Sequence, residues 1–96
     1  MMTFLEKIKV KEGREDEFVR LAKQLTEKVR ANEPETLAYE FYKLREEERG
    51  YAVYEKLSSE EAEQGHQNTP HFAAIAPDLI ECIDGTYVRT YLDAID

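Results

Sequence analysis

The stretch TLAYEFYKLREEERGYAVYEKL (residues 36–57) sets two runs rich in aromatic and β-branched residues on either side of the polar tip Arg45-Glu46-Glu47-Glu48-Arg49-Gly50. This pattern predicts a β-hairpin, with strands over residues 36–44 and 51–57. Side chains alternate along a strand, so Leu37, Tyr39 and Phe41 fall on one side of the first strand and Ala38, Glu40 and Tyr42 on the other. Both faces carry aromatics. A sheet covered by helices on one side only would leave the second aromatic face in water, so a second subunit is expected to cover it.

Outward from the hairpin, the period of the apolar residues changes. Upstream, Phe18, Leu21, Ala22, Leu25 and Val29 recur at steps of three and four, which places all five on one face of a helix whose other face is charged. Pro34 disfavours helical geometry in the residue before it and sets the end of that helix. Before it, residues 3–10 mix apolar and charged residues and stop at the turn Lys11-Glu12-Gly13, as a first strand does. Downstream, Ser58-Ser59-Glu60-Glu61 reads as a capping box with Ser58 as the cap, opening a short helix that runs to about His66. Thr69-Pro70 opens another, because Thr suits the cap and Pro the first helical position. Its apolar stripe is Phe72, Ile75, Ala76, Leu79 and Ile83, and Pro77 within it predicts a kink or a restart. After the turn Asp84-Gly85, residues 86–92 read as a last strand. The order βαββαβ is that of the ferredoxin-like α+β fold, an antiparallel four-stranded sheet with both main helices on one face.

A chain of 96 residues with 42% apolar content suits one domain built on one core. Its 21 acidic and 13 basic residues give a net charge of −8, which opposes binding to nucleic acid or an anionic membrane surface. No run approaches the roughly 18 apolar residues of a membrane span. The single Cys82 cannot form an internal disulfide, and the expected location is the reducing cytoplasm.

The sequence lacks a glycine-rich phosphate loop, a cysteine cluster and an HExxH motif. Two histidines, His66 and His71, flank the break between the second and third helices. One ends a helix and the other begins one, so the helix dipoles should drive their protonation apart, a mark of acid–base sites that a structural histidine can share. A metal site is less favoured, because no third ligand can be placed nearby. The six tyrosines mostly fall in strands, where core or interface roles are commonest. Glu55 shares a strand face with Tyr51, Val53 and Leu57, and if buried it should be paired.

Several of these features fall in one order: Lys11-Glu12-Gly13, Phe18, Glu33-Pro34 with Thr36-Leu37-Ala38-Tyr39-Glu40, Tyr54-Glu55-Lys56, Glu61-Ala62, His66 and Thr69-Pro70-His71-Phe72. In this the chain resembles the antibiotic biosynthesis monooxygenase domain family over nearly its whole length. The resemblance implies a dimeric α+β barrel in which each subunit keeps a pocket between sheet and helices. It also implies one of several activities: cofactor-independent oxidation of quinols and phenols, haem degradation, or processing of a phosphorylated signal. The haem-degrading branch is least similar, because it uses a tryptophan where this chain has Leu57, and an asparagine that residues 3–10 lack. The family's usual glycine after Glu-Pro is here Glu35.

For a quinol monooxygenase the resemblance implies chemistry without flavin or metal, on a small hydroxylated aromatic and dioxygen, with a homodimer as the assembly. A base removes a phenolic proton and the electron-rich anion reacts with dioxygen. His66 is the candidate base. His71, Tyr39 and Tyr51 are candidates for orienting a ring hydroxyl, and Leu57 and Phe72 for lining the pocket. Two alternatives stand beside it: an isomerase or signal-processing enzyme for a phosphorylated ketone, which needs a basic pocket, and a non-catalytic dimeric binding or stress-response module.

Overall fold

A computed structural model of the chain describes residues 1–95. Its elements run β1 (Met2–Lys9), α1 (Glu15–Asn32), β2 (Thr36–Lys43), β3 (Gly50–Leu57), α2 (Glu60–Gln67), α3 (Pro70–Glu81) and β4 (Val88–Tyr91). The four strands form one sheet in the order β2-β3-β1-β4, with every neighbouring pair antiparallel. This is the ferredoxin-like α+β arrangement that the order of elements predicts.

The α1 stripe becomes the centre of the core. Phe18, Leu21, Ala22, Leu25 and Val29 are all buried, and they pack with Leu79 and Cys82 against Ile8, Tyr39, Tyr51 and Val53 of the sheet. Each fully buried Phe or Leu here contributes about 1.5–3 kcal/mol through the apolar surface it removes from water. Leu79 sits in the last turns of α3, so both main helices lie on the same sheet face. On the other face, Tyr54 lies beside Leu5, and Tyr42 beside Ala52 and then Lys7 and Val88. Tyr42 and Val88 are half exposed or more, and no element of this chain covers them.

Three local expectations are corrected. The cap of α2 is Ser59, whose hydroxyl accepts from the Ala62 N–H at 3.1 Å; Ser58 still belongs to the sheet side, with its N–H on the Glu35 carbonyl at 3.0 Å and its hydroxyl on the Glu35 carboxylate. The α3 helix runs unbroken through Pro77, so of the two alternatives, a kink or a restart, the restart is overturned. Leu37 does not share the buried side with Tyr39, because a register shift between Thr36 and Ala38 turns it outward. The Thr69-Pro70 start is as predicted, with the Thr69 hydroxyl accepting from the Phe72 N–H at 3.2 Å.

A candidate active site under the third helix

His66 and His71 meet at one carboxylate, that of Glu33. The Nδ1 of His66 lies 2.8 Å from one Glu33 oxygen and 3.1 Å from the other, while the Nε2 of His71 is hydrogen-bonded to the second oxygen. All three side chains are largely buried: His66 is 4% exposed and the Glu33 side chain 8%. Each position follows from local structure. Glu33 caps the C-terminus of α1, where Pro34 stops the helix; His66 stands in the last turn of α2; and His71 stands in the first turn of α3. The two imidazoles, expected to differ because one ends a helix and the other begins one, share a single acceptor.

A carboxylate can only accept, so Nδ1 of His66 carries the hydrogen and donates it to Glu33. In the neutral ring Nε2 is then the basic nitrogen. The His66 ring packs between Tyr39, tilted against it, and Phe72, edge to face, with centroids 5.3 and 4.9 Å away. Beside it, a cavity of about 100 Å³ lies between the sheet and α3. Tyr39, Phe41, Phe72 and Leu79 give it apolar walls, Ile80 and Tyr87 stand at its exposed rim, and Glu6, Glu55, Glu63 and Arg89 supply charge. The volume falls below the roughly 150 Å³ that takes a benzene ring, so a ring-sized ligand needs the α3 side to give. A separate cleft on the outer side of His66 is formed by Glu33, Pro34, Ser59, Gly65 and Thr69.

Of the four carboxylates near this cavity, three are paired. Glu33 holds the histidines, and Arg89 binds Glu6 through Nε at 2.6 Å and Glu63 through Nη2 at 2.8 Å, with its guanidinium 3.7 Å above the Phe4 ring. Glu55 is the exception. It is 7% exposed, lines the cavity, and has no side-chain hydrogen bond or ion pair among the described residues, so the expectation that a buried Glu55 must be paired is not met. It remains protonated instead: burial, then the neighbouring carboxylates of Glu6 and Glu63, push it up to about 8 against the opposing pull of Arg89. Burial first, and then the carboxylates of Glu55, Glu33 and Glu6, hold the Tyr39 phenol well above its ordinary value.

The sequence-predicted residues therefore divide. His66, Tyr39 and Phe72 meet at the cavity, and His71 stands behind His66 on Glu33. Tyr51 does not join them: its hydroxyl donates to Glu15 at 2.9 Å, and its ring lines a different groove, between α1 and β2, with Phe18 and Lys43. Leu57 is fully buried and is not part of the cavity lining. Among the described residues, no group of three or more His, Cys, Asp or Glu is placed to hold a metal ion.

The unpaired Glu55 has a measurable signature. Its ordinary value is 4.5, so between pH 4.5 and about 8 the folded state holds a proton that the unfolded chain has released. The Glu55 contribution is thus fully present below pH 4.5 and is lost at about 1.4 kcal/mol per pH unit as pH rises toward 8. Glu55→Gln removes this slope. Urea unfolding at pH 5 and pH 8 should show the variant gaining stability relative to the parent as pH rises, whereas parallel profiles would contradict a protonated Glu55.

Comparisons with known proteins place the chain in a family and agree with its fold. The antibiotic biosynthesis monooxygenase family model matches residues 1–78. A Caulobacter crescentus protein of known structure, assigned to the antibiotic biosynthesis monooxygenases, is 32% identical, with 99% of this chain and 90% of that one covered at a TM-score of 0.90. A conserved Methanosarcina mazei protein is 26% identical over 95% of this chain and 89% of its own, at a TM-score of 0.85. A Bacteroides thetaiotaomicron structure with the same family assignment, 20% identical over 99% and 90% of the two chains, has a TM-score of 0.90 and speaks for the fold alone. No functionally curated protein matches the sequence. With a family model covering most of the chain and a close structural relative of the same assignment, this chain belongs to the antibiotic biosynthesis monooxygenase family.

Proposed function

We propose that the 96 residues act as one domain, a cofactor-independent monooxygenase of a small, single-ring hydroxylated aromatic such as a quinol. The observation that carries this reading is the Glu33–His66 pair: Glu33 fixes the hydrogen on Nδ1 and leaves Nε2 as a base beside an apolar-walled cavity. The Nε2 atom takes the phenolic proton. The ring anion then donates electrons to dioxygen; one oxygen atom enters the ring, the other leaves as water, and all four electrons come from the ring. The walls of Tyr39, Phe41, Phe72 and Leu79 keep bulk water from the anion. The small cavity favours a single ring over the polycyclic phenols that the wider family oxidises.

The charge of the cavity argues against the phosphorylated-ketone alternative. Its one guanidinium, Arg89, is already held by Glu6 and Glu63, and no other cation lines it. A non-catalytic binding module is the second reading, favoured by the small volume of the cavity. Oxygen uptake with a panel of hydroquinones separates the two. The monooxygenase reading expects turnover with at least one of them and a loss of about 100-fold or more in His66→Ala. No turnover with any ring that binds would leave the binding module.

The open sheet face supports a homodimer. The exposed Tyr42 and Val88 and the half-buried Leu5 and Tyr54 share the sheet face opposite the helices, and burying it against a second copy would close a barrel around the two sheets. The buried free thiol of Cys82 suits a reducing compartment such as the cytoplasm. Sedimentation at micromolar concentration should give two chains per particle, shifting toward one in Tyr54→Glu; a parent chain that sediments as a monomer would overturn the dimer.

A further inference from the structure

Three polar groups in the cavity, on residues each more than nine-tenths buried, lack a partner: Nε2 of His66, the Tyr39 hydroxyl and the Glu55 carboxyl. No sealed side-chain nitrogen or oxygen among the described residues is left unpartnered, so each of these atoms keeps some access to open space, and the cavity is the one space that all three residues line. Tyr39 and Glu55 are directly opposite one another on β2 and β3, and the Tyr39 ring also packs against that of His66. The arrangement places two hydrogen-bond donors beside one base.

We infer that Glu55, in its acid form, and Tyr39 donate hydrogen bonds to the phenolate that forms when His66 takes the substrate's proton. This rests on the monooxygenase reading of the site and adds to it a group that stabilises the anion. The need is evident from the surroundings. A phenolate beside Glu6 and Glu63 meets negative charge, and the one nearby cation is committed to those two carboxylates. An ionised Glu55 would add to the repulsion. A protonated Glu55 removes a charge and offers an O–H, and a buried neutral acid can serve as such a donor to an oxyanion. Burial and its carboxylate neighbours keep Glu55 in that form up to about pH 8, and they hold the Tyr39 proton in place still higher. The step moves one proton, from the ring hydroxyl to Nε2, and leaves the Glu55 and Tyr39 protons where they were.

The arrangement selects phenols whose other substituents are neutral and rejects rings that already bear an anionic group such as a carboxylate. Without oxygen, so that no turnover intervenes, ¹⁹F NMR of 4-fluorophenol reports both its binding and its ionisation. Bound to the parent protein at pH 7, the ligand should ionise about tenfold more readily than free in solution. This advantage should fade as pH rises through about 8, where Glu55 loses its proton. In Glu55→Gln, whose amide still donates but does not titrate, a smaller advantage should persist through that range. Glu55→Ala and Tyr39→Phe should each reduce it several-fold. Equal ionisation of bound ligand in the parent and Glu55→Ala, or an advantage in the parent that does not change with pH, would overturn the role of Glu55 while leaving His66 as the base. Failure of every form to bind the phenol would overturn the reading of the site along with it.

Discussion

One carboxylate holds the functional half of this molecule together. Glu33 ends α1 and reaches the last turn of α2 through His66 and the first turn of α3 through His71. Three helices thus meet at a single acidic side chain with both oxygens in use. Replacing Glu33 by a group that cannot accept would leave two buried N–H donors without a partner, at a cost of about 1–3 kcal/mol each. The same contacts hold the hydrogen of the neutral His66 ring on Nδ1 and leave Nε2 without one. Support of the fold and the tautomer of His66 therefore depend on one interaction.

Around that pair the charges are arranged so that only one carboxyl lacks a counter-charge. Arg89 comes from β4, the last strand, and reaches across β1 to Glu6 and up to Glu63 of α2, so it closes one wall of the cavity and ties α2 to the sheet. Its flat face on Phe4 spreads the guanidinium over an aromatic ring, as a buried arginine favours. With both of its partners engaged, Glu55 is left unpaired, and a buried carboxyl without a partner stays protonated. The result is a cavity with apolar walls, lined also by His66, Tyr39 and the unpaired Glu55. Such an environment favours an uncharged ring that becomes an anion only after it has entered.

Much of the architecture could be read from the sequence because it depends on periodicity. Phe18, Leu21, Ala22, Leu25 and Val29 were placed on one buried face by spacing alone, and the hairpin by two aromatic runs around an acidic tip. Where competing hydrogen bonds decided the outcome, spacing was not enough: Ser58 and Ser59 are both capping residues, and the backbone bond from Ser58 to Glu35 leaves the cap to Ser59. His66 could be picked out from its place at a helix end, but Glu33 could not. It lies 33 residues from His66 and 38 from His71, in a polar helix end that resembles any solvated one. Only its place in the Glu-Pro pair shared with the family marked it. Tyr51 misled for the opposite reason, since a strand aromatic can face either of two grooves, and the Glu15 carboxylate draws it to the one away from His66.

The central claim is that Glu33 sets the tautomer of His66. ¹⁵N NMR of the imidazole side chains, recorded at a pH where His66 is neutral, reads this directly. The account predicts a protonated Nδ1 and an unprotonated Nε2 on His66 in the parent protein, with that preference lost or mixed in Glu33→Ala. A His66 ring that carries its hydrogen on Nε2 in the parent, or one whose tautomer is the same with and without the Glu33 carboxylate, would contradict it.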